Sequence, residues 1–203
     1  MKYLVLFIIS GLFNFVALAD YFEIIEHRID LDNDGKEEII EHSVWFDAPG
    51  TMLPVPSIGE VVVYDNHGVR QSNFFMPGSV DRIEFVVLAN DGCKQIAAFS
   101  YDKNHHANIA IYGYKDNQLY PVFSSGSDCG IETCFDSDKP FIRVGAENLA
   151  NEGSSCADEP LWQVYVWDGY EFVYNKEMSS APKYFQPAQT DEYVGNFKIM
   201  VEK

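Results

Sequence analysis

Along the chain, apolar residues recur in short alternating or continuous runs separated by polar turn residues, and no stretch keeps a helical stripe for three turns. Alternation with period two suits a half-buried strand, and a short apolar run suits a strand buried on both faces. The pattern predicts strands over Phe22 to Ile29, Glu38 to Phe46, Gly59 to Tyr64, Arg82 to Leu88, Gln95 to Tyr101, Asn108 to Tyr112, Gln118 to Phe123, Phe141 to Val144, Trp162 to Trp167 and Glu171 to Tyr174, with a last candidate at Tyr193 to Val201. Asp65-Asn66-His67-Gly68, Lys115-Asp116-Asn117 and Asp168-Gly169 carry the residue types of tight reversals, so neighbouring strands should pair antiparallel. The fold class that follows is all-β, mainly antiparallel, in a propeller-like or sandwich arrangement of hairpins.

Three segments share one outline. Val61 to Tyr64, Ile109 to Tyr112 and Val164 to Trp167 each end an apolar strand in an aromatic residue, then pass through a polar turn into a second strand. They lie about 50 residues apart, a soft repeat of hairpins. Asp47 to Pro56 reads as a loop rich in Pro and Gly, and Met178 to Thr190, with Pro182 and Pro187, as a polar strap. Nothing divides residues 20–203 into two domains.

The N-terminus fixes an expected compartment. Lys2 precedes an apolar run from Tyr3 to Phe15, which ends in Ala17-Leu18-Ala19 before Asp20. That is the layout of a secretory signal peptide, with small residues at the cleavage site, and processing is expected after Ala19. A membrane anchor would need about 20 apolar residues and a basic flank; here the flank is Asp20, Glu23 and Glu26. The mature chain is therefore expected in the periplasm or the medium, with no membrane association.

Composition narrows the partners. Asp and Glu number 31 against 14 Lys and Arg in 203 residues, a formal charge of −17. Phosphate backbones are bound through clustered basic charge, so nucleic acid is excluded as a natural partner. Cys93, Cys129, Cys134 and Cys156 make an even set in an exported chain, and two disulfides are the default expectation. Three connectivities are open; proximity in sequence favours Cys129 with Cys134 and Cys93 with Cys156.

One segment carries specific chemistry. Asp30-Leu31-Asp32-Asn33-Asp34-Gly35-Lys36-Glu37-Glu38 places carboxylates at alternate positions before a glycine that permits a sharp turn. Such a run suits a hard cation with six to eight oxygen ligands, and Ca2+ fits better than the smaller, more rigidly octahedral Mg2+. Aspartates this close repel one another unless a dication compensates them. Glu41 stands twelfth from Asp30, as an EF-hand expression requires, yet the flanking segments have strand patterning and not the amphipathic helices of that motif.

The run from Asp30 to Ile40 resembles the calcium loop of FG-GAP and VCBS-type repeats, in which such a loop leads straight into a propeller strand. The resemblance rests on residues 30–40 alone. It implies Asp30, Asp32, Asp34 and Glu38 as side-chain ligands, Lys36 as a backbone carbonyl ligand, and a structural Ca2+.

Other candidates are weaker. Adjacent His105 and His106 would point to opposite faces of an extended chain, and the Asp102 and His105 pair has no nucleophile in a recognisable turn beside it. Trp162, Tyr165, Trp167, Tyr170, Phe172 and Tyr174 can stack on sugars or a protein, but strand alternation assigns them first to packing. Binding is thus favoured over catalysis: an extracytoplasmic recognition or adhesion module for a protein or glycan ligand. Two further roles stay open, an acidic periplasmic inhibitor of a cationic enzyme such as a lysozyme, and a carbohydrate-active hydrolase using paired carboxylates.

Overall fold

A computed structural model describes residues 21–46, 58–89, 92–102, 106–146 and 160–180. The expected signal peptide, the Asp47 to Pro56 loop, the strap beyond Ser180 and the candidate strand Tyr193 to Val201 lie outside these residues or almost wholly so. The described chain is all-β and contains no α-helix.

Three four-stranded antiparallel meanders follow one another in sequence. The first comprises β1 (Tyr21–Ile29), β2 (Glu38–Phe46), β3 (Ile58–Tyr64) and β4 (Arg70–Pro77). The second comprises β5 (Ser79–Val86), β6 (Gln95–Tyr101), β7 (Ala107–Lys115) and β8 (Gln118–Ser127). The third comprises β9 (Ile131–Cys134), β10 (Phe141–Ala146), β11 (Leu161–Trp167) and β12 (Phe172–Tyr174). The three look-alike hairpins of the sequence are β3–β4, β7–β8 and β11–β12, the closing hairpin of each meander.

The sheets stack face to face with the second in the middle. One core joins Leu31 of the β1–β2 loop and Ile40, Val61, Val63, Phe74 and Met76 of the first sheet to Val80, Ile96, Ala98, Ala110 and Tyr114 of the second. The other joins Val86, Ala97, Phe99, Ile109 and Ile111 to Ile142, Val144 and Phe172 of the third. Consecutive residues of β6 thus enter opposite cores, which is why Gln95 to Ser100 reads as one continuous buried run. Tyr165, Trp167 and Phe172 of the aromatic segment pack in the second core: Tyr165 meets Phe123 edge-on at 5.2 Å between centroids, and Trp167 lies 5.2 Å from Phe172. Tyr170, at the β11–β12 turn, is exposed.

Turn chemistry behaves as the residue types require. Asp116 and Asn117 both have positive φ, 52° and 62°, and close β7 onto β8 as a two-residue reversal. Asp65 caps its own turn, its carboxylate accepting the N–H groups of His67 and Val69. The first part of the expected strap is tied down, because the Ser179 and Ser180 hydroxyls accept the N–H groups of Val164 and Trp162.

Two expectations need correction. Cys134 carries a free thiol, so the short Cys129–Cys134 bridge does not form and two internal disulfides cannot. Strand β9 was also not foreseen, and β4 was expected only as the second strand of a hairpin, without bounds. The first half of β4 is Arg70-Gln71-Ser72-Asn73, too polar for a periodic signal, and β9 has only four residues.

Gly78 alone carries the chain from the first sheet to the second. Its φ is +77°, and a Cβ there would lie 1.9 Å from the Tyr101 carbonyl oxygen. Gly35 has a similar φ of +85° but open space around it. Gly78→Ala should therefore cost about 3 kcal/mol or more in urea unfolding, against about 1 kcal/mol for Gly35→Ala. Equal losses would contradict the close approach of β6 to the crossing point.

Candidate metal centre

The acidic loop joins β1 to β2, and its shape follows from one buried residue. Leu31 is fully buried in the core between the first and second sheets. Its N–H donates to Glu38 Oε2 at 2.9 Å, and its carbonyl accepts the Lys94 N–H at 2.7 Å. With Leu31 turned inward, the carboxylates on either side, Asp30 and Asp32, are free to close the loop. Asp30 accepts the N–H groups of Asp34 and Gly35 at 3.1 and 3.0 Å, and Asp32 accepts the Asp34 N–H at 3.2 Å. Asn33 and Gly35 supply the positive φ values, 61° and 85°, that let the chain reverse.

One carboxylate oxygen from each of Asp30, Asp32 and Glu38 lies within 4.8 Å of the others. A cation coordinated at 2.3–2.6 Å reaches oxygens up to about 5 Å apart, so this trio can share one ion. Glu38 is the buried member, 6% exposed, and burial pushes its carboxyl above the ordinary range. The charges of Asp32 and Asp34 push it further, and the Leu31 N–H opposes them. Tyr114, reaching across from β7, senses the same potential: burial, then the charges of Glu38 and Asp32, push its hydroxyl up to about 12.

Asp34 and Lys36, the other two expected ligand residues, contact each other. Asp34 stands outside the trio, its carboxylate accepting the Lys36 N–H and the Lys36 ammonium, both at 2.8 Å. That contact draws the Asp34 carboxyl below and the Lys36 ammonium above their ordinary values. The loop is also buttressed by the segment leading into β6. Lys94 Nζ donates to the Asp30 carbonyl at 3.2 Å, Cys93 Sγ lies 3.5 Å from the Asp32 carbonyl, and Gly92 lies against Asn33. This buttress has no sequence motif and was invisible in the chain alone.

Two histidine clusters lie outside the loop. His106 meets Asp102, with Nδ1 3.3 Å from Oδ2, and its Nε2 lies 3.1 Å from Asp128 Oδ1. It links the β6–β7 and β8–β9 connections, at the opposite end of β6 from the acidic loop; His105 lies outside the described residues. His27 and His42 form the second cluster. They sit diagonally across β1 and β2, because His27 pairs with Ile40 and Ile25 with His42. Counting outward from the loop would have placed them together in sequence.

No protein family, curated protein or solved structure matches the chain.

Burial holds both His27 and His42 below the ordinary imidazole pKa, and the charge of His27 lowers His42 further. A folded state that resists protonation loses stability as pH falls below the unfolded value near 6.5, and the contribution is fully present above it. In metal-free buffer, urea unfolding should show stability falling as the pH drops below about 6.5, and His27→Gln should flatten that fall. An unaltered pH slope in the variant would remove the pair as its source.

Proposed function

We propose that the protein is an exported β domain whose first hairpin is locked by a structural Ca2+ and whose surface recognises a protein or glycan ligand. The observation that carries the reading is the convergence of Asp30, Asp32 and Glu38 at the entrance to β2. Ion-free, these carboxylates repel one another beside a buried glutamate; a dication would relieve that repulsion and favour the folded loop. Asp34 is the natural fourth side chain, recruited when Lys36 swings away, and water or backbone oxygens complete the shell.

Export is supported by the Lys2 to Ala19 segment, with cleavage after Ala19. The resemblance of residues 30–40 to the FG-GAP and VCBS-type loop supports placing a calcium loop in a meander of this kind. A second reading, inhibition of a cationic enzyme such as a lysozyme, draws on the net charge of −17, which would steer a basic partner at a rate that falls with salt.

Calcium at a hundredfold excess over its dissociation constant should raise the thermal midpoint of the mature protein by about 5–10 °C. Asp32→Ala should abolish the rise. An identical midpoint in calcium and in chelator would defeat the proposal. For the ligand, retention on a glycan array or by a protein without turnover fits recognition, a salt-sensitive complex with lysozyme fits inhibition, and glycan turnover contradicts both.

A further inference from the structure

The hairpin that presents the carboxylate loop also brings two imidazoles together. His27 Nε2 and His42 Nε2 lie 3.4 Å apart, in rings only 5° from parallel. That separation is long for a hydrogen bond, whose ordinary span is about 2.7–3.2 Å. It matches the distance between two nitrogens on one tetrahedral ion, roughly 3.3–3.4 Å for bonds of about 2.0–2.1 Å. We propose that His27 and His42 form a second metal site, for a divalent first-row transition ion such as Zn2+, with the two Nε2 atoms as protein ligands and the remaining positions open to water or an incoming ligand.

The surroundings are built for that role. His42 is 3% exposed, and its Nδ1 lies 3.1 Å from the Val80 carbonyl oxygen. A carbonyl accepts only, so Nδ1 carries the proton and Nε2 is left with its lone pair facing His27. An outer hydrogen bond of this kind orients a metal-binding histidine and fixes its tautomer. The Val80 carbonyl stands beside the bulge between Val80 and Arg82 in β5, so an irregularity of the second sheet holds a side chain of the first. Phe85, also on β5, packs edge-on against His27 with centroids 5.4 Å apart and limits rotation of that ring. His27 is only half-buried, which gives an ion a route in from solvent.

Both imidazoles are held neutral at pH 7 by burial, so protons compete little for the lone pairs. At His42 the Val80 carbonyl opposes burial and a protonated His27 would add to it, while burial is the sole cause acting on His27. Nitrogen donors favour Zn2+, Cu2+ or Ni2+ over Ca2+, so this site and the oxygen cluster would select different ions on one hairpin.

Titration calorimetry of tag-free protein with Zn2+ at pH 7.5 tests the proposal, using Asp32→Ala as the background so that the carboxylate loop does not contribute. Binding of one Zn2+ should persist in Asp32→Ala and weaken at least tenfold when His27→Ala is added. His27 is chosen because it is the more exposed partner, and circular dichroism checks that the variant folds. Cu2+ electron paramagnetic resonance gives a readout independent of stability: two imidazole nitrogens should couple in the parent and one in the His27→Ala variant. Equal Zn2+ affinity with and without His27, or a Cu2+ spectrum lacking imidazole couplings in the parent, would overturn the assignment.

Discussion

Burial of Leu31 between the first two sheets is the constraint from which the acidic loop takes its form. An apolar side chain flanked by aspartates gains on the order of 2 kcal/mol by leaving water, and the core between the sheets gives it a place. Once it is seated, Asp30 and Asp32 close the loop around its backbone, and Glu38 meets them by accepting the Leu31 N–H. The carboxylate cluster is thus a consequence of core packing. It does not depend on an unsupported surface turn, and the Lys94 contacts from the second sheet hold it from the other side.

The second sheet gives that arrangement its rigidity. It is buried on both faces, with Ile96 and Ala98 toward the first sheet and Ala97 and Phe99 toward the third. Its entry points are tightly set. Gly78 turns the chain without room for a side chain, the Ser100 hydroxyl donates to the Pro77 carbonyl at 2.6 Å, and the bulge at the start of β5 places the Val80 carbonyl against His42. Both candidate metal sites therefore rest on contacts between the first and second meanders, although their ligands come from a single hairpin.

Much of this was legible in the chain. Glu38 to Phe46 and Gln95 to Tyr101 were placed with the bounds they have, because a strand buried on one or both faces writes its period into the residue types. The soft hairpin repeat was a true signal, since it marked the last two strands of each meander. Strand β4 was signalled only through that repeat and not bounded, because its first half is polar, and β9 was missed because four residues carry no period. Asp30, Asp32 and Glu38 were implied as ligands by the FG-GAP-like resemblance and do converge, whereas the Asp34–Lys36 contact was hidden by treating Lys36 as a backbone ligand alone. The free thiol of Cys134 ran against counting, because an even number of cysteines says nothing about which side chains face each other.

The central claim is that the Asp30, Asp32 and Glu38 carboxylates hold one dication between them. Anomalous diffraction from crystals grown with Ca2+ measures this most directly. A single strong peak about 2.3–2.6 Å from an oxygen of each of the three residues is the predicted result. An ordered loop with no anomalous density at their focus, or a calcium peak bound elsewhere, would contradict it.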